Sequence, residues 1–370
     1  MLYAHTIANT SLCQQRDIAK DTDAFDSNAV LLTCLSNGAE VFVDVLANED
    51  KWLLPVSLGS AASCTVIQAA APNINTDNLS AVLSLAGESI SFGAISQILR
   101  ALFGNETLFM LKLNPLCEKF GNTAVDVWAD AKTLVSINPH IRAQLSQEHR
   151  IDIIRKANAK LHEPGLLVMD MDSTVIAMEC IDEIAGLAGV KEQVSAVTER
   201  AMRGEIPFTQ SLHDRVACLE GVKASDLLTI RKRIPYMPGF IKSMLILKAF
   251  GWRLIIASGG FTFFANYVKQ SADLDDAFSN DLEIVDGTLT GKVKGKVVDG
   301  QEKANILLHC KQKFKISEMQ TVAIGDGAND LMMMAKAGTS VAFRAKATVE
   351  EKADSAIFHC GFEGLLYALN

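Results

Sequence analysis

The chain has 370 residues, of which 49% are apolar and 21% charged, and a formal net charge of −8. That length suits two domains of ordinary size, and the apolar content suits a sizeable core. The acidic balance excludes a general nucleic-acid binder and gives a phosphorylated ligand no overall attraction, so any anion site must be built locally.

The opening residues, MLYAHTIANTSLCQQRD, lack a basic start followed by an apolar stretch. No signal peptide is expected, and a cytoplasmic setting is. In the first half, strands are predicted at 29–35, 41–46, 64–71, 108–113 and 124–127. A helix is predicted at 91–102, where Ile95, Ile98 and Leu102 form one stripe. Residues 52–76 carry no charge, but Pro55, Gly59 and several Ser and Thr interrupt them, so no membrane span is expected. The eight cysteines include no Cys-x-x-Cys pair, and reduced, buried thiols are expected. His309-Cys310 and His359-Cys360 are adjacent pairs, poorly placed to chelate one ion.

A long polar helix is predicted over 141–162, ended by His162-Glu163-Pro164-Gly165. That break sets the expected boundary between an α+β domain over 1–162 and a second domain over 163–370. Beyond it, strands at 166–169, 253–257, 281–284, 321–324 and 340–342 alternate with helices such as 239–249, 261–269 and 303–310. Alternation of this kind predicts an α/β fold, a Rossmann-like parallel sheet with helices on both faces. Residues 176–240 interrupt it with nearly continuous helix, over 179–188, 192–203, 208–220 and 224–233. The excursion is too long for a crossover and reads as an inserted helical-bundle cap.

Ligands of such sheets sit beyond the carboxyl ends of the strands. There the sequence places Asp170-Met171-Asp172-Ser173-Thr174, two acids one residue apart. Carboxylates that close keep a proton or share a cation. Asp170 can act as a nucleophile and Asp172 can hold and release a proton, although a lone Asp-x-Asp also makes an ordinary turn. Ser258-Gly259-Gly260, before a predicted helix, lets backbone N–H groups approach an anion. Lys303 can neutralise a phosphate, but Lys292, Lys294 and Lys296 are rivals that spacing does not eliminate. Gly325-Asp326-Gly327-Ala328-Asn329-Asp330 offers oxygen ligands to a hard cation, or a turn with a helix cap. Taken together, a nucleophilic acid, an anion nest, a cation and a metal site recur in order at strand ends.

These motifs, DMDST, ASGG, Lys303 and GDGAND, make residues 165–342 resemble the haloacid dehalogenase superfamily of phosphotransferases. The stretches DMDSTVIAMECIDEIA, VTERAMRGEIPF, IASGGFTFFA and VAIGDGANDL resemble its branch that hydrolyses O-phosphoserine, the final step of serine biosynthesis. Met332 stands where that family carries Pro. The resemblance implies Mg²⁺ held by the carboxylates of Asp170 and Asp326 and the backbone carbonyl of Asp172. It implies a phosphoaspartyl intermediate on Asp170 and protonation of the leaving seryl oxygen by Asp172. Ser258, Gly259 and Lys303 then clamp the phosphoryl oxygens, Asn329 holds the loop or the incoming water, and Asp330 supports Lys303 or the metal shell. In the cap, Arg215 takes the substrate carboxylate, Glu179 the ammonium, and Met202 and Phe208 form an apolar wall. Without the resemblance these four read equally as surface ion-pair and core residues.

The partner expected is therefore a small molecule, phosphoserine, with no nucleic acid and no membrane. The first half resembles the small amino-acid-binding regulatory modules of the ACT type. An amino-acid effector there and a homodimer are both open. Two other readings are a superfamily phosphatase for another small phosphomonoester and a signalling module that keeps its phosphoaspartate as a switch.

Overall fold

The computed structural model describes residues 54–58, 64–66, 79–103, 108–130, 137–203 and 205–370. The strands predicted at 29–35 and 41–46 lie outside these residues. Contacts divide the chain into one unit of Met1–Lys156 with Ile357–Ala368 and Asn370, and another of Ala157–Ala356 with Leu369.

The first unit contains β1 (Leu54–Leu58), β2 (Cys64–Val66), β3 (Leu79–Gly87), β4 (Leu108–Leu113), β5 (Thr123–Asp130) and β6 (Asp152–Arg155), in the order β2-β1-β4-β5-β3-β6. Every pairing is antiparallel. Helix Phe92–Phe103 joins β3 to β4, and helix Pro139–His149 lies between β5 and β6. From β3 onward, apart from the one-turn helix Cys117–Phe120, this is the βαββαβ arrangement with a split βαβ unit. Leu83, Leu85, Ile95, Leu99, Val125 and Ile153 build its core.

Two expectations fail in this unit. The helix predicted over 141–162 ends at His149, because Arg150 adopts a left-handed conformation at φ 54°. The chain then turns into β6, where Ile153 and Ile154 are buried and pair with Leu85 and Ser84 of β3. The second difference is at the C-terminus, which the sequence assigns to the later domain. Helix Glu363–Ala368 instead groups with the first unit, and all six of its residues are buried. The carbonyl of Tyr367 accepts from Ser84 Oγ at 2.9 Å and from Lys156 Nζ at 2.9 Å. Asp126 completes this buried network, pairing with Lys156 at 3.1 Å and accepting from Asn114. A buried ammonium held by a carboxylate and a carbonyl satisfies groups that would otherwise be costly to desolvate.

The second unit contains β7 (Leu166–Met169), β8 (Arg253–Phe261), β9 (Asp276–Val285), β10 (Thr288–Lys294), β11 (Thr321–Gly325) and β12 (Thr339–Phe343). With β13 (Ser355–Ile357), these form one sheet ordered β10-β9-β8-β7-β11-β12-β13. From β9 to β12 the pairings are parallel, and β10 closes the edge antiparallel to β9. The sequence predicted five of these strands and missed β10 and β13. Strands β7, β11 and β12 are buried along their whole length, as strands covered on both faces must be. Gly165 lets the Trp252 ring pack where a Cβ would lie, since that atom would come within 2.8 Å of it. The chain leaves β7 toward β8 on one side and returns to β11 on the other, so the crevice opens between their carboxyl ends.

The insert forms helices Cys180–Ala188, Lys191–Met202, Phe208–Ala217 and Ala224–Arg231, as the sequence predicts to within a few residues. Its two linkers pair with each other, Met237 N–H donating to Val175 O at 2.9 Å and Ala177 N–H to Pro235 O at 2.8 Å. No described helix is long and apolar enough to cross a membrane.

Candidate active site

The carboxyl ends of β7, β8 and β11 bring three of the sequence motifs together. Asp170 follows the last residue of β7, and its N–H donates to Ile324 O of β11 at 3.0 Å. Its Oδ1 accepts from Met171 N–H at 2.8 Å and lies 2.8 Å from Lys303 Nζ. Lys303 also meets Asp330 Oδ1 at 2.7 Å. Both the lysine and Asp330 are fully buried. This singles out Lys303 from Lys292, Lys294 and Lys296, all of which are exposed. Burial alone would lower the lysine's pKa, but the two carboxylates outweigh it and the net shift is upward.

Lys303 sits one turn into helix Gly300–Phe314, which starts earlier than the sequence suggests because Asp299 caps it, accepting from Glu302 N–H. Close approaches at glycine hold this corner. A Cβ on Gly325 would fall 2.4 Å from Asp330 Cγ, and one on Gly300 would fall 2.8 Å from Asn329 O. Only glycine lets the β11 loop fold Asp330 back onto Lys303. Asp330 Oδ2 accepts from Gly327 N–H at 3.0 Å, so this carboxylate is bonded on both oxygens. Asn329 folds over Gly327, its Oδ1 2.3 Å from where a Cβ would stand there.

Asp326 accepts from Thr174 Oγ1 at 2.9 Å, a contact across 152 residues that the sequence reading missed. Carboxylate oxygens of Asp170, Asp326 and Asp330 lie within 4.8 Å of one another. Burial, then the charges of Asp170 and Asp330, raises Asp326 to about 7. Burial and Asp170 raise Asp330 to about 6, against the pull of Lys303. Three acids facing one ammonium leave a surplus of negative charge on oxygen donors, which fits a hard divalent cation.

This surplus makes stability depend on pH. Asp326 and Asp330 bind protons more tightly in the folded chain than at the ordinary value of 3.8. The folded state therefore holds the extra protons, and stability falls as pH rises from about 4 to about 7. Asp172 and Glu179, also raised, act in the same direction, whereas Asp276 and Glu302, whose values are lowered, act below that window. Melting temperatures in EDTA should drop between about pH 5 and pH 8, and millimolar Mg²⁺ should remove most of that drop. A midpoint in EDTA that climbs over this range would contradict an origin in these raised carboxyls.

Asp172 is half-buried as a residue, but its Oδ1 is enclosed and has no hydrogen-bond partner among the described residues. Burial, reinforced by Glu179 and Asp170, lifts its carboxyl well above the usual range, and hydrogen bonds from Cys180 oppose the shift. A carboxyl so placed holds its proton more tightly than a solvated one. The backbone of β8 packs against it, with a Cβ on Gly260 falling 2.9 Å from Asp172 Oδ2 and 3.1 Å from Ser258 Oγ. Ser258 is fully buried, and its Oγ accepts from Gly260 N–H at 2.9 Å.

Of the cap residues, Phe208 lies against Gly259, its Cζ 3.0 Å from where a Cβ would stand. Glu179 accepts from Ser173 Oγ at 2.8 Å, and Ser173 takes a left-handed φ of 59°. Arg215 is half-buried and within electrostatic reach of Glu179, Asp182 and Asp172. Met202 ends helix Lys191–Met202, and its side chain lies outside the described residues.

The model of the haloacid dehalogenase-like hydrolases matches residues 165–338. The chain is 46% identical to a phosphoserine phosphatase of Vibrio cholerae over 257 residues, 67% of this chain and 77% of the relative. It is 44% identical to one of Haemophilus influenzae over 279 residues, 73% of this chain and 88% of the relative. The chain belongs to the phosphoserine phosphatase family of haloacid dehalogenase-like hydrolases. A solved phospho-aspartyl intermediate analogue of phosphoserine phosphatase superposes with a TM-score of 0.54 at 39% identity, covering 56% of this chain and 100% of that one.

Proposed function

We propose that the chain hydrolyses O-phosphoserine to serine and phosphate through an ester formed on Asp170. The observation that carries this reading is the pair of Asp carboxyls at the end of β7 in opposite surroundings. Asp170 faces a buried ammonium at 2.8 Å, whereas Asp172 is raised well above the carboxylate range. Two carboxyls set apart in this way divide into nucleophile and acid.

Asp170 Oδ attacks phosphorus, the seryl oxygen leaves, and Asp172 gives that oxygen its proton. Protonating an alkoxide leaving group is worth roughly 10²–10⁴-fold in rate. Asp172, now ionised, takes a proton from the water that cleaves the acyl phosphate, which returns both acids to their first states. Ser258, the N–H of Gly259 and Lys303 hold the phosphoryl oxygens, and Asn329 orders the loop that carries Asp326. Asp330 keeps Lys303 aimed at Asp170. Asp170, Asp326 and the carbonyl of Asp172 would hold Mg²⁺, which would supply charge neutralisation there.

Specificity for an amino-acid phosphate comes from the cap. Arg215 receives the carboxylate in a bidentate fork, Glu179 the ammonium, and Phe208 and Met202 shield the ester from water. Arg215→Ala should lower kcat/KM for phosphoserine by about 100-fold, as loss of a charged contact to substrate does. Turnover of p-nitrophenyl phosphate should stay within about threefold, because that ester has no carboxylate to lose. Phosphoserine turnover left nearly intact would instead favour a phosphatase for a different small phosphomonoester. A phosphoaspartate that persists for minutes without multiple turnover would favour the signalling switch.

Three expectations from the sequence belong with this proposal. An amino-acid effector on the first unit would show as heat on titrating the full chain with serine. A homodimer would show by sedimentation. A cytoplasmic setting would show by fractionation.

A further inference from the structure

Asn280 lies on β9, has no place in the mechanism above, and is 1% exposed. Its side chain donates in one direction and accepts in the other. Nδ2 donates to the carbonyl of Gly259 at 2.8 Å, and Oδ1 accepts from Val298 N–H at 2.8 Å. The Gly259 carbonyl and the Gly260 N–H belong to the same peptide group. That N–H donates to Ser258 Oγ at 2.9 Å. Asn280 therefore grips one end of a peptide plane whose other end occupies the acceptor side of the Ser258 hydroxyl. With that lone pair taken, the hydroxyl proton is left to donate elsewhere, and the phosphoryl oxygens are the acceptors at hand.

The second bond reaches the other half of the clamp. Val298 precedes Asp299, which caps the helix carrying Lys303 through Glu302 N–H at 2.9 Å. One buried amide thus bridges the end of β8 that presents Ser258 and Gly259 and the lead-in to Lys303. Gly259 and Gly260 fall where the β8–β9 pairing shifts register, between Ala257 and Phe261, and have no side chains to fix the peptide plane between them. We infer that Asn280 is a positioning residue that sets the Gly259–Gly260 peptide plane, and through it the Ser258 hydroxyl, for grip on the transferring phosphoryl group. The inference rests on the phosphatase reading above and concerns only its phosphate half.

The two products test it, because each reports on one half of the site. Inhibition by inorganic phosphate reads the clamp, and inhibition by L-serine reads the cap. With p-nitrophenyl phosphate as substrate, Asn280→Ala should lower kcat by about 10- to 100-fold, the size of effect that small misplacement of catalytic groups produces. The inhibition constant for phosphate should rise about tenfold or more, while that for L-serine stays within about twofold. Asn280→Asp keeps the volume and the acceptor for Val298 and removes the donor to Gly259 when ionised. It should show the same split at about pH 8, and it is the variant to read if the alanine protein does not fold.

Phosphate affinity and kcat within about twofold of wild type in a folded variant would overturn the inference. So would parallel losses for phosphate and serine, which describe general loosening, and so would failure of both variants to fold. If wild type cleaves p-nitrophenyl phosphate but not phosphoserine and is blind to serine, the substrate assignment fails. The phosphate comparison then still decides the role of Asn280.

Discussion

Asp170→Asn will reduce phosphate release from O-phosphoserine by about 10³-fold or more, because a neutral amide cannot become the leaving group of a hydrolysable acyl phosphate. The protein will fold. Asp170 shares its surroundings with Asp326 and Asp330, whose carboxylate oxygens are all within 4.8 Å, so removing one acid relieves repulsion. Lys303 keeps Asp330 at 2.7 Å as its counter-ion. The variant should therefore melt no lower than wild type in EDTA while losing turnover. Phosphate release at the wild-type rate, with phosphoserine and Mg²⁺ present, would remove the nucleophile from the mechanism. A melting temperature many degrees below wild type would instead mean that the acid cluster contributes to folding.

Lys303→Ala should damage both activity and stability. The side chain is fully buried and meets Asp170 at 2.8 Å and Asp330 at 2.7 Å. Deleting one partner of a buried ion pair leaves uncompensated charge, typically at a cost of about 3–5 kcal/mol, and a loss of that order is expected at about pH 8. The loss should shrink toward about pH 5, because Asp330, already raised to about 6, takes up a proton more easily once the ammonium is gone. Activity should fall by about 10²-fold or more, since positioning and charge do most of the work in phosphoryl transfer. Lys303→Arg should rescue neither, because a planar guanidinium does not fit a fully packed site built for a compact ammonium. Denaturant melts at the two pH values, read beside phosphate release, check this. A stability loss independent of pH would count against burial of the two carboxylates as its cause.

The candidate site residues of the second unit were legible in the sequence because they sit at strand ends. A short apolar run followed by Asp, Ser-Gly-Gly or Gly-Asp-Gly is a local pattern, and a parallel sheet puts all such ends on one edge. Asp170, Ser258 and Asp326 needed no knowledge of strand order. The order itself decided the rest. Thr174 reaches Asp326 because β7 lies beside β11, and Asn280 reaches Gly259 because β9 lies beside β8. Thr174 stands inside the DMDST motif, but nothing local names Asp326 as its partner, and an isolated Asn on a half-exposed strand reads as surface. Lys303 was one lysine among several until packing buried it.

The first unit shows the same division. Ile141, Leu145, Ile151 and Ile154 fit a helical period in sequence, yet the last two belong to β6 and the turn before it. Arg150 makes that turn at φ 54°, where a glycine would have announced it. Likewise, no pattern in Glu363–Ala368 says which unit covers it. Its burial depends on Ser84, Asp126 and Lys156, more than 200 residues earlier in the chain. Local propensity and apolar period are carried by neighbours in sequence. Pairing partners, buried charge and the route of the last helix are carried by contacts that exist only once the chain has closed on itself.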